Sequence, residues 1–187
     1  MAVYNTPSDA ANTAVRSFLT KIGEHYLGAS FNTASGSGRA IWEQIRKDFG
    51  DACAYCGIQD TMQIEHLVMF NRAEYGLHHP GNIVPVCKAC NKRCKNETNC
   101  FVSWEAHLAV TCGGAESQHY LDRYTKILGH IAKYNYPKLS HQEKHAIRVI
   151  AESLYANIKG ESEKSLSMYR KLDEAFIKDS KKPALAG

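Results

Sequence analysis

The chain has 187 residues, with 23 Lys plus Arg against 19 Asp plus Glu, a net charge of +4, 9 His and 7 Cys. Hydrophobic residues make up 44% and charged residues 22%, the composition of an ordinary globular protein, which excludes a fibrous, collagenous or wholly disordered chain. No apolar run approaches the roughly 18–20 residues needed to cross a bilayer, and the modest charge permits a polyanionic partner without demanding one.

The first residues, Met1-Ala-Val-Tyr-Asn-Thr-Pro, have neither a basic start nor an apolar core. No signal peptide is expected, and the expected location is cytoplasmic. Pro7-Ser8-Asp9 offers a turn or a helix cap. Val15, Phe18, Leu19, Ile22 and Tyr26 recur at helical spacing and predict a helix over 14–27. The small, polar stretch 29–38 reads as a loop. Ile41, Trp42, Ile45 and Phe49 predict a short helix over 39–49, ended by Gly50.

From Asp51 to Cys100 the character changes. Cys53-Ala-Tyr-Cys56-Gly57 reads as a tight turn, Met62 to Val68 as a strand, 72–82 as a loop, and Ile83-Val-Pro-Val86 as a second strand whose Pro85 suggests an edge. A short basic helix is predicted from Cys87 to about Asn96. Beyond Cys100 the pattern is helical. Tyr120, Leu121, Tyr124, Leu128 and Ile131 share a face, and Ser140-His-Gln-Glu143 has the form of a capping box. Ile147, Ile150, Ala151, Leu154 and Ile158 continue that helix to an expected stop at Gly160. Leu166, Tyr169, Leu172 and Phe176 mark a last helix, and these late stripes are read as core. The basic tail from Lys178 reads as frayed.

Without an export signal, seven cysteines point to metal or reactive thiols rather than disulfides. Cys53-x-x-Cys56 and Cys87-x-x-Cys90 lie thirty residues apart and form two knuckles, which together offer a closed sulfur cage for one structural zinc. A closed cage leaves no position for water, so this zinc is assigned to the fold. Cys94, Cys100 and Cys112 are read as buried or free thiols. A second site from Cys100, His107, Cys112 and His119 has irregular spacing and is the weaker reading.

Between and after the knuckles stand Glu65-His66, Gly81-Asn82, and Cys87-Lys-Ala-Cys90-Asn91-Lys92-Arg93-Cys94-Lys95. An acid-His pair ending one strand, Gly-Asn opening the next and Cys-x-x-Cys-Asn beyond it resemble, in that order, the HNH endonucleases with their ββα-metal finger. The resemblance covers about residues 51–98. It implies an α+β fold in three regions: helical 1–49, an HNH core 50–100 and helical 101–187.

It further implies DNA phosphodiester hydrolysis leaving 5′-phosphate and 3′-hydroxyl ends. His66 is then the general base, an imidazole suited to take a proton from water. Glu65 and Asn91 are oxygen ligands for one catalytic Mg²⁺ or Mn²⁺, and Asn82 braces the loop. Lys88, Lys92, Arg93 and Lys95 would face phosphates. By alternation Glu65 and His66 should point to opposite faces of a strand; the family brings both to one pocket because the strand ends there. Glu65 stands where Asp is commoner, Asn91 where His is, and Cys94 where Lys is frequent. His78 and His79 read as a solvated loop.

The other function class is a non-catalytic zinc module that binds nucleic acid or protein. Within the nuclease class, restriction or phage defence is the expected setting, with a homodimer or an ATPase as partner.

Overall fold

The computed structural model describes residues 6–177; the basic tail expected to fray lies outside them. The chain is mixed α and β, with five long helical segments around one small sheet. Helix α1 spans Pro7–Leu27. Thr6 caps it by accepting the Asp9 N–H, Pro7 enters at the first turn where its missing N–H costs nothing, and Gly28 closes it at φ 72°. Helix α2 spans Gly36–Asp48, three residues earlier than its apolar pattern. Gly38 explains this. A Cβ there would lie 2.4 Å from the Asn32 carbonyl oxygen, so the expected loop folds tightly back against the first turn.

Strands β1 (Gln63–His66) and β2 (Ile83–Val86) pair antiparallel, with Glu65 opposite Val84 and His66 opposite Ile83. Pro85 costs no ladder bond in so narrow a sheet. Its carbonyl instead accepts the Ala54 N–H at 2.7 Å, tying the first cysteine knuckle to the edge of β2. A single 3₁₀ turn, Pro80–Asn82, leads directly into β2.

The short basic helix predicted from Cys87 does not form. The second knuckle closes one turn, with the Asn91 N–H on the Cys87 carbonyl at 3.0 Å. Arg93 then turns inward, and the chain leaves through a lone bridge between Lys95 and Phe101. The next helix, α3, begins only at Trp104 and ends at Thr111.

Helices α4 (Gln118–Lys133) and α5 (His141–Leu172) complete the order, followed by one wide π turn at 173–177. The capping box at Ser140 and Glu143 forms with both reciprocal hydrogen bonds. Gly160 does not end α5. A glycine costs a helix only about 1 kcal/mol, and the flanking Lys159–Glu163 and Glu161–Lys164 pairs support the turns on either side. The stripe Leu166, Tyr169, Leu172 and Phe176 is not core. These side chains stand exposed on the far part of α5 and the turn beyond it. No described helix is long and apolar enough to cross a membrane.

Two apolar clusters hold the molecule. The first joins Phe31, Ile45 and Phe49 to the knuckles, to Ile83, Val84 and Val86, and to Trp104, Leu108 and Ile127. Packing therefore runs across the boundaries 49/50 and 100/101 drawn from sequence. The second cluster seats Val15 and Leu19 of α1 and Ile147 and Ala151 of α5 on Leu77.

His79 is fully buried in this frame, where its Nδ1 accepts the Gly81 N–H at 3.1 Å. Burial, then the neighbouring His78, pushes its imidazole down to about 4 from 6.5. The unfolded chain therefore binds a proton between pH 6.5 and 4 that the folded chain refuses, and stability falls as pH falls through that window. At roughly 1.4 kcal/mol per pH unit the loss is about 3 kcal/mol. Denaturant unfolding at stepped pH should show this loss, and His79→Asn, which keeps an acceptor for Gly81, should remove the His79 share of it while the other buried histidines keep theirs.

Candidate metal centre and adjoining histidine pair

The two knuckles meet across the end of the hairpin. The Sγ atoms of Cys53, Cys56, Cys87 and Cys90 all lie within 4.8 Å of one another, with Cys56 and Cys87 at 3.8 Å. A zinc ion at about 2.3 Å from each sulfur of a tetrahedron requires sulfurs about 3.8 Å apart, so the cage fits zinc. None of the seven cysteines is in a disulfide. Burial and the neighbouring sulfurs push the Cys56 and Cys90 thiols up. Four sulfurs this close could together hold a metal ion, which would favour their thiolate forms. Among the described residues no other group of three or more Cys, His, Asp or Glu side chains comes within ligating reach.

The weaker second cysteine–histidine site is accordingly not assembled. Cys100 is exposed, and Cys112 reaches the Tyr55 carbonyl. His107 braces the second knuckle instead. Its Nε2 donates to the Cys90 carbonyl at 2.9 Å, which leaves Nδ1 to accept the Cys94 N–H at 3.3 Å. Gly57 at φ 79° turns the first knuckle under Arg123; an added Cβ would lie 2.1 Å from that guanidinium.

The loop between the strands is held by Asn82, which is fully buried. Its Oδ1 accepts the Val68 N–H at 2.8 Å. Its Nδ2 donates to the carbonyls of Val68 at 2.9 Å and Leu77 at 2.8 Å. One side chain thus ties both ends of the loop 68–77 together, a bracing geometry of the kind the resemblance implied for this position.

His66 closes β1 and stacks on Phe70, with centroids 4.8 Å apart. Its Nε2 lies 3.0 Å from Nδ1 of His78, and Phe31 packs on the far side of His78. Burial, then His78 and Arg93, pushes the His66 imidazole down to about 3; burial also lowers His78. The pair is therefore neutral at neutral pH, one ring donating to the other. His78 is no solvated loop residue. The signal for it was present in His78-His79 immediately before Pro-Gly-Asn.

Glu65 faces elsewhere. Its carboxylate takes both Nε (3.1 Å) and Nη2 of Arg93, whose side chain is only 2% exposed and also donates to the carbonyls of Leu67 (3.0 Å) and His66 (2.8 Å). Strand alternation prevails: the Glu65 and His66 side chains keep separate partners. Arg93 was expected among the phosphate-facing cations. It is instead the counter-ion of Glu65, because without a helix after Cys90 the chain turns it into the interior. Lys88, Lys92 and Lys95 remain exposed.

Asn91 donates to Gln63 Oε1 at 2.7 Å. Gln63 and Glu65 alternate onto one face of β1, so Asn91 sits on the Glu65 side. As they stand, these two residues do not fit a divalent cation, because Glu65 already carries a guanidinium and Asn91 is engaged as a donor. Sequence reasoning missed this pairing; the only signal was a lone arginine among lysines.

The chain matches no known protein family, no curated protein and no solved structure.

Purified protein should carry one zinc per chain by atomic absorption. Cys87→Ser should release it and abolish cooperative unfolding, since a structural zinc contributes on the order of 10 kcal/mol. Asn82→Ala leaves three backbone groups without partners and should lower stability by about 2–4 kcal/mol in denaturant melts.

Proposed function

We propose that the chain is an endonuclease of the HNH kind that hydrolyses DNA phosphodiester bonds. The observation that carries this reading is His66, held at the end of β1 beside a loop pinned by Asn82, with a second imidazole on its Nε2 and a cysteine cage at the other end of the same hairpin. In this reading His78 accepts from Nε2 of His66 and fixes its tautomer. Nδ1 of His66 is then the lone pair that takes a proton from the attacking water. The zinc holds the hairpin and takes no part in the chemistry. Mg²⁺ or Mn²⁺ is the cofactor the resemblance implies, with Glu65 and Asn91 as its oxygen donors; as they stand, engaged by Arg93 and Gln63, they do not fit it. A single site of this kind serves one strand, so double-strand cutting calls for two copies. Restriction or phage defence, with or without an ATPase partner, is the setting in which such a chain fits.

A second reading is a zinc module without catalysis, binding nucleic acid or a protein. The buried Glu65–Arg93 pair favours it, since that pair already neutralises the acid.

Plasmid nicking by zinc-loaded protein, with Mg²⁺ or Mn²⁺ added or withheld, separates the two. The nuclease reading expects nicking only with the added ion, and at least a hundredfold loss in His66→Ala with zinc content unchanged. Binding without ion-dependent cleavage under any condition would select the module.

A further inference from the structure

A cleft of about 700 Å³ opens between the loop that follows β1 and the start of α5. It does not contain His66 but begins at Val68, two residues on. Tyr75 and Tyr136 line it, and so do three permanent cations, Lys138, Lys144 and Arg148. On α5, His141, Lys144, His145 and Arg148 follow the spacing i, i+3, i+4, i+7 and therefore form one stripe along the wall.

The charges in and around this cleft are unequally used. Glu74 accepts the Met69 N–H and faces Arg93. Glu152 takes Arg72 and the Tyr75 hydroxyl. Glu143 is occupied by the capping box and by Tyr26. Each acid has its partner, whereas among the described residues Lys138, Lys144 and Arg148 form no close ion pair, Arg148 acting on Glu152 only through its field, and all three are exposed. At the start of α5 the Ser140 hydroxyl accepts the Glu143 N–H and its carbonyl accepts the Lys144 N–H, and the side-chain cations add to the positive field of this wall.

The dimensions select among anions. The stripe from His141 to Arg148 covers seven residues, about 10 Å at 1.5 Å per residue. That matches the axial rise of about three nucleotides of one duplex strand, at about 3.4 Å each along the helix axis. The cations stand on exposed stems along an open groove, and no buried polar group closes around a single small anion.

We propose that this cleft grips the phosphate backbone of one nucleic-acid strand, over about three phosphates next to the one that would lie at His66. The strand's identity as substrate rests on the nuclease reading; the grip itself does not. Tyr75 and Tyr136 stand in the same groove as faces for a base or sugar. Their positions are fixed by the Tyr75 hydroxyl on Glu152 and by the Tyr136 hydroxyl accepting the Leu77 N–H at 3.2 Å.

The test is fluorescence anisotropy with a labelled DNA oligonucleotide from 50 to 200 mM salt, in a zinc-loaded His66→Ala background that cannot cut. Replacing Lys138, Lys144 and Arg148 together by Gln should weaken binding at least tenfold at low salt. It should also lower the slope of log K against log salt by about 2 for a single strand. Lys144→Gln alone should lower the slope by about 0.7, which keeps the test decisive if the triple variant folds poorly. An unchanged slope in a folded variant overturns the proposal. So does displacement of the oligonucleotide by inorganic phosphate at equal ionic strength, which would mark a small-anion site. Cleft-dependent binding by a protein that never nicks plasmid would leave this inference standing and remove only the nuclease reading. Nicking with cleft-independent binding would do the reverse.

Discussion

The side-chain amide of Asn82 is the constraint on which the rest of the molecule depends. Three backbone groups, at Val68 twice and at Leu77, have no other partner in the interior, and one buried amide satisfies them all. The loop it closes carries nearly everything of interest. His66 enters it and His78 leaves it. Leu77 plugs the α1–α5 cluster, and Tyr136 packs on its far end at Gly81. A loop of this length would otherwise sample many conformations, and each of these contacts would blur with it.

A second ordering principle is electrostatic. The interior accepts charge only in matched sets. Four sulfurs gather in a cage that could hold one dication, and a carboxylate enters only with a guanidinium that also caps two carbonyls. Four histidines, at 66, 78, 79 and 130, are held below their ordinary range by burial and stay uncharged. Lys88, Lys92 and Lys95 around the second knuckle, and Lys144 and Arg148 along the start of α5, are by contrast exposed. Buried neutrality and surface excess give the modest net charge a spatial meaning that composition alone does not carry.

Much of this was readable beforehand where the signal is local. The capping box at Ser140, the helix over 14–27, the two strands and the cysteine cage follow from spacing, because each depends on residues a few positions apart or on a repeated pair. The failures are all non-local. Gly160 looked like a stop, yet nothing in the tertiary structure asks α5 to end there. The stripe from Leu166 to Phe176 has core periodicity, yet its side chains are exposed among the described residues. Arg93 looked like a surface cation because its neighbours are, and only the unformed helix after Cys90 turns it onto Glu65. His78 seemed a loop residue because its partner lies twelve positions away. Histidine, arginine and glycine take their roles from what approaches them, and periodicity is silent on that.

Gly23 gives one of these approaches a mechanical meaning. A Cβ at this position would lie 2.2 Å from the His78 carbonyl oxygen, so α1 rests its bare backbone directly on the residue that holds the His66 ring. Helix α1 is in turn clamped by α5 through Val15, Leu19, Ile147 and Ala151. The helical pair thus acts as a press that bears on the spacing of the two imidazoles beside it. Whatever loosens the press, a wider side chain at position 23 or a partner that levers on the exposed end of α5, reaches the histidines as a change in distance rather than in chemistry. The long protruding helix is therefore a handle as well as a wall.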